Sequence, residues 1–167
     1  MCGALRRATR FRARALNVSY ALQLGEGWAA TAGDTAGQSQ FDSPGDPRFD
    51  GFVFELPLEF ALRAATLAGW PLLRLSFHTL DEKLQQQLVG QCELPLPLAP
   101  GRRELVLPCW RVGRELVQRA EGPGPPQPGG SVVAEGPRSC LVTESAGDVH
   151  LQLQVVAHGL LERGVAV

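Results

Sequence analysis

The sequence predicts an all-β domain, an antiparallel β-sandwich of about seven to eight strands. Three observations carry this. Between Gly51 and Arg63 the even positions Phe52, Phe54, Leu56, Leu58, Phe60 and Leu62 are all apolar, while the odd ones include Glu55, Pro57, Glu59 and Arg63. The same alternation returns in five further segments, and turns containing Gly or Pro separate most of them. Strict period two describes a strand with one buried face, whereas a helical period would scatter the six apolar residues around a cylinder.

Residues 1–16 come first and show no alternation. Arg6, Arg7, Arg10, Arg12 and Arg14 precede the first acid, Glu26, so the segment is expected to be a basic tail, disordered or weakly helical. The composition of residues 1–25 also fits a mitochondrial transit peptide; no apolar run of about 7–15 residues follows the arginines, which excludes a secretory signal. Residues 17–167 form the domain. Val18, Tyr20, Leu22 and Leu24 alternate with Asn17, Ser19, Ala21 and Gln23. Leu73, Leu75 and Phe77 alternate with Arg74, Ser76 and His78. Leu88, Cys92, Leu94, Leu96 and Leu98 share a face, Leu105 and Leu107 follow, and Val149, Leu151, Leu153 and Val155 close the series. Short runs at Ser131–Ala134 and Ser139–Thr143 are further strand candidates, and Gly113–Ala120 is a candidate for two helical turns. The stretch Glu121–Gly130 (EGPGPPQPGG) is too rich in Pro and Gly to pack and reads as a loop. Pro57, Pro95 and Pro97 cannot donate to a ladder, so their strands should lie at edges or carry bulges.

The 167 residues suit one domain with a real core, and 44% apolar with 20% charged residues fits a globular chain. No stretch approaches the ~20 apolar residues of a spanning helix. Five of the 16 basic side chains fall in residues 1–14, so the remaining 11 face 17 acids. An acidic body argues against a nucleic-acid partner, whose phosphates need cations. Cys2, Cys92, Cys109 and Cys140 are scattered without a C-x-x-C pair, and they read as buried thiols rather than a disulfide framework.

Chemistry leaves few marks. There is no G-x-S-x-G elbow and no phosphate loop, and Lys83, the only lysine, follows Asp81-Glu82. His78 and His150 sit on polar strand faces and read as solvated surface residues rather than bases. No two Cys or His residues have zinc-ligand spacing. Asp42, Asp46 and Asp50 are four apart and interrupted by Pro44 and Pro47, which suits a turn better than a calcium loop. No catalytic residue, metal, cofactor or small-molecule substrate is therefore expected.

The segment Trp70–Trp110, with PLLRLSFH, TLDEKLQQQ and LVGQCELPLPLAPGRRELVLPCW, resembles a C2-type sandwich. In many C2 domains the corresponding loop holds calcium on three carboxylates; here the positions are Thr79, Asp81 and Gln87, and the other loop offers only Asn17. Calcium-triggered membrane binding is accordingly expected to be absent. More specifically, the chain resembles the B9-domain family, a C2-like group of the ciliary base. GEGWAATAG (Gly25–Gly33), GQSQ (Gly37–Gln40), FELPLEF (Phe54–Phe60), AGWP (Ala68–Pro71), LVG (Leu88–Gly90), LAPGRRELVLP (Leu98–Pro108), SVVAEG (Ser131–Gly136) and the terminal DVHLQLQVV carry the likeness, in that order along the chain. The W-A-x-T-A-G stretch and the V-V-A-x-G run single out one member of the family. The family's first strand has no clear counterpart in residues 1–16.

The resemblance implies a non-catalytic scaffold of the tectonic-like (Meckel syndrome) complex at the ciliary transition zone. That complex limits exchange of membrane proteins between cilium and plasma membrane and supports ciliogenesis and hedgehog signalling. The implied location is the cytoplasm and cytoskeleton at the basal body, transition zone and axoneme base. Implied partners are other B9-domain proteins, namely B9 domain-containing protein 2 and the Meckel syndrome type 1 protein. Trp28, Trp110 and Arg111 are the candidate partner contacts, since aromatics and Arg concentrate at binding hot spots; Trp70 is expected to pack in the core or at its rim. Two alternatives are a peripheral membrane module using Arg6, Arg7, Arg10, Arg12 and Arg14 on lipid, and a mitochondrially targeted enzyme.

Overall fold

The structure, a computed structural model, describes residues 1–44, 51–97, 99–112 and 143–159. Among them are nine strands: β1 (Cys2–Thr9), β2 (Asn17–Gln23), β3 (Trp28–Gly33), β4 (Ala36–Gln38), β5 (Phe52–Ala64), β6 (Leu72–Leu80), β7 (Gln86–Pro95), β8 (Gly101–Val112) and β9 (Thr143–Val155). The helical turns expected at 113–120, the loop at 121–130, the strand at 131–134 and most of that at 139–143 lie outside the described residues. So do Asp46, Asp50, Leu98 and Cys140.

Every pairing is antiparallel, in the order β3-β5-β1-β9-β8-β7-β6-β2-β4. A single pair, Gln91 with Trp110, joins β7 to β8, and the sheet curls back on itself there. Two layers result, β3-β5-β1-β9-β8 against β7-β6-β2-β4. Phe54 of β5 lies 6.5 Å from Phe77 of β6 across the interior, and Phe11 packs on Phe77 at 4.8 Å.

Alternation produces this core directly. In β5, Phe52, Leu58 and Phe60 are buried while Val53, Glu55, Pro57, Glu59, Ala61 and Arg63 are not. Leu5, Ala8, Val149, Leu151 and Leu153 join them from one layer; Val18, Tyr20, Leu22, Leu73, Leu75, Phe77 and Cys92 come from the other. Cys92 and Cys109 are buried free thiols, as expected, whereas Cys2 is exposed. The hydrogen bond that Cys109 shares with Cys92, and then burial, pushes the Cys109 thiol far up.

The amino-terminal segment is a correction. Residues 2–9 are a strand in the interior of the sheet, paired on one side with β5 and on the other with β9. The register shifts between Leu5 and Arg7 on both sides. A bulge puts two consecutive residues on one face, so Arg6 and Arg7 both point outward while Leu5 and Ala8, three apart, are both fully buried. That spacing hides the strand from a search for period two. The bulge is stitched by Arg6, which donates to Glu55 at 2.6 Å and to Gln152 at 2.7 Å.

Pro57 lies in β5 and Pro95 ends β7, both interior strands, while Pro97 falls beyond β7 rather than inside a strand; β8 also contains a proline, Pro108. β5 and β7 each carry a bulge: β5 at Glu55, whose φ is 46°, and β7 where the register shifts opposite Phe77 and His78. β3 pairs with β5 only from Phe60 to Ala64, which leaves Pro57 opposite Ala4 of β1 alone.

His78 and His150 are half-buried rather than solvated. Burial pushes the His78 imidazole below its ordinary value of 6.5. The unfolded chain therefore takes up a proton near the ordinary value while the fold still resists it. The stability that neutral His78 supports is complete above 6.5 and is lost as pH falls through the depressed folded value. The thermal midpoint should drop as pH falls below about 6.5, and His78→Gln should flatten that drop. Melts of both proteins by circular dichroism check this.

Candidate interaction surface

Two Gly-Trp pairs, Gly27-Trp28 and Gly69-Trp70, 42 residues apart in sequence, meet at one end of the sandwich. The turn after β2 and the turn after β5 touch backbone to backbone: a Cβ on Gly25 would lie 2.0 Å from the Gly69 carbonyl oxygen. Gly69 itself has φ 65°, a region that suits glycine. This contact sets Trp28 edge-on to Trp70, with centroids 5.1 Å apart and an interplanar angle of 71°. The Trp28 indole N–H donates to the Ala68 carbonyl at 3.1 Å, and the Trp70 N–H to the Leu96 carbonyl at 2.8 Å. Beside them runs an apolar groove of about 590 Å³, lined also by Leu62, Leu67, Leu96 and Val156. Gly25→Val should destabilise the domain by about 1–3 kcal/mol, as overpacking does. It should also weaken the near-ultraviolet circular dichroism of the Trp pair, whose coupling depends on that approach.

A second hollow, of about 490 Å³, lies at the other end of β3 and is lined by Tyr20, Asp34, Glu59 and Cys2. Burial, then the nearby Asp34 carboxylate, pushes the Tyr20 phenol up. Asp34 and Glu59 are both exposed.

The structure separates the residues expected to share a partner contact. Trp28 sits on β3 at the groove. Trp110 is 9% exposed, so it is buried rather than presented to a partner. The register shift between Cys109 and Trp110 turns two consecutive residues inward, which strict alternation does not foresee. Arg111 is held by Glu144 at 2.9 Å. Trp70 is half-buried and belongs with Trp28. Gly-Trp occurs at both 27–28 and 69–70, a recurrence that could have pointed to this site although the residues around the two pairs differ; Asp34 and Glu59 had no such signal.

The arginines also divide. Arg6 is engaged by Glu55 and Gln152, Arg7 lies on the outer face of β1, and Arg10 pairs with the buried Asp148. Arg12 and Arg14 are exposed in the following loop, which Thr79 anchors by donating to the Ala15 carbonyl at 2.7 Å. Asp81 accepts from the N–H groups of Lys83 and Gln85, both at 2.8 Å, and from the Gln87 amide at 3.3 Å. The three positions matching the C2 calcium loop thus bind the hairpin to itself and to its neighbour. Among the described residues no group of three or more His, Cys, Asp or Glu could hold a metal ion, and no helix is long and apolar enough to cross a membrane.

The B9-C2 family, described as ciliary basal body-associated B9 protein, matches residues 1–156. The chain is 32% identical to B9 domain-containing protein 2 of Bos taurus over 170 residues, covering 98% of this chain and 95% of that one. Identity to the Xenopus laevis protein of the same name is 30% over 163 residues, covering 95% and 92%. The member singled out by Trp28–Gly33 and Val132–Gly136 is B9 domain-containing protein 1, whose Mus musculus form is 28% identical over 95 residues, 57% of this chain and 47% of that one. The likeness to protein 2 therefore spans more of the chain.

Proposed function

The chain belongs to the B9-C2 family of ciliary basal body-associated proteins, and from that premise we propose that it is a non-catalytic scaffold component of the tectonic-like (Meckel syndrome) complex at the ciliary transition zone. In this role it assembles with other B9-domain proteins and contributes to the barrier that limits diffusion of membrane proteins between cilium and plasma membrane. Ciliogenesis and hedgehog signalling then depend on it. The observation that carries the reading is the family match over residues 1–156, which spans all nine described strands. The exposed apolar groove beside Trp28 and Trp70 supplies a surface suited to a protein partner.

Pull-down with B9 domain-containing proteins 1 and 2 and the Meckel syndrome type 1 protein tests this. Co-purification should occur at micromolar concentration or below; a monodisperse monomer that binds none of them overturns it.

A peripheral membrane role is the second reading, favoured by Leu84, which is 77% exposed beside Lys83 at the tip of the β6–β7 hairpin. Arg12 and Arg14 lie in the loop tied to the end of β6. Co-sedimentation with phosphatidylserine vesicles should then fall in an Arg12→Glu, Arg14→Glu, Leu84→Asp variant; unchanged sedimentation removes this reading.

A further inference from the structure

We propose that the outer edge of β3 is a docking site at which an extended segment of a partner protein adds to the sheet as a further strand, seating an apolar side chain in the Trp28–Trp70 groove and a lysine or arginine between Asp34 and Glu59. The proposal rests on the scaffold reading and assigns it a surface and a partner chemistry.

Among the described residues the sheet ends at β3 and β4, and the two edges differ. β4 is three residues long, and short edge strands resist unwanted pairing. β3 is six residues long and contains neither charge nor proline. Its one protective feature is the register shift around Thr31, whose hydroxyl donates inward to the Ala61 carbonyl at 3.2 Å. Five of its six residues are exposed, so both faces stand clear of the core. Ala29, Ala30, Thr31, Ala32 and Gly33 are small enough to let another backbone and its larger side chains approach.

The two ends of β3 ask for different chemistry. At Trp28 the groove is mainly apolar and aromatic, with Arg63 and His158 also in its wall. At Gly33 the hollow presents Asp34 and Glu59, neither in an ion pair with a side chain of the described residues. The cation lining that hollow is the Met1 ammonium, which donates to the Phe60 carbonyl at 2.8 Å. From Trp28 to Asp34 an extended chain covers about 20 Å at ~3.3 Å per residue. The fitting segment is therefore about six or seven residues long, uncharged in the middle, apolar at one end and basic at the other. Main-chain bonds supply affinity and the two end pockets supply direction and specificity, as in other strand-addition complexes.

The test uses the full chain and the B9-domain protein that co-purifies with it. Asp34→Lys with Glu59→Lys changes two exposed side chains and should weaken binding at least tenfold while leaving the melting temperature nearly unchanged. Ala30→Pro, which removes an edge amide, should weaken binding similarly. Hydrogen–deuterium exchange should show the amides of residues 28–33 protected by the partner. Wild-type affinity in both variants, or unprotected β3 amides in the complex, overturns the docking site and leaves the scaffold reading standing. A chain that binds no B9-domain protein overturns both. Concentration-dependent protection of β3 in the chain alone, with the mass of a dimer, assigns the edge to a second copy and also overturns the proposal.

Discussion

Deleting residues 1–9 should leave a chain that does not fold cooperatively. β1 is paired along both flanks, through Cys2–Ala8 with β5 and Cys2–Thr9 with β9, so its loss unpairs two strands at once. It also removes Leu5 and Ala8, both fully buried, and uncovers Leu58 and Leu151. Burying one leucine is worth about 1.5–3 kcal/mol, and a whole domain is stable by only about 5–15 kcal/mol. Losing a central strand exceeds what such a margin tolerates. Far-ultraviolet circular dichroism with a urea titration checks it; a truncated chain with the wild-type midpoint would refute the central placement. Leu5→Asp offers the same test in a full-length chain, since it buries an unpaired carboxylate. Truncation consequently cannot isolate the lipid affinity of the arginines, and point changes at Arg12 and Arg14 are needed.

Phe77→Ala should destabilise the domain by about 3–5 kcal/mol, the range for large aromatic deletions in cores. Phe77 is fully buried on β6 and touches both Phe11, from the loop after β1, and Phe54, from β5. Its ladder neighbour in β7 is Gly90, which has no side chain to relax into the space left behind. Val53→Ala, on the outer face of β5 and 60% exposed, should stay within about 0.5 kcal/mol. The contrast between two apolar residues separates core packing from composition. Equal midpoints for the two variants in urea would show that the layers do not close on Phe77.

Much of this protein was legible in its residues. Period-two alternation identifies β2, β5, β6, β7, β8 and β9 and says which side of each is buried, because side-chain direction along an extended chain is local geometry. The motif order points to the B9-C2 family, whose match runs over residues 1–156. The rest needed the tertiary structure. β1 escaped because a bulge spaces Leu5 and Ala8 three apart, and β3 escaped because it has no buried face. Trp110 turned inward at a register shift, and Trp28 found Trp70 only where Gly25 meets Gly69. Leu5 lies beside Leu56 and Leu151, partners whose distance along the chain no local pattern encodes. Which strands become neighbours, and which edge is left open, is settled when the layers close over a shared core, and that free energy belongs to the assembled sheet rather than to any one segment.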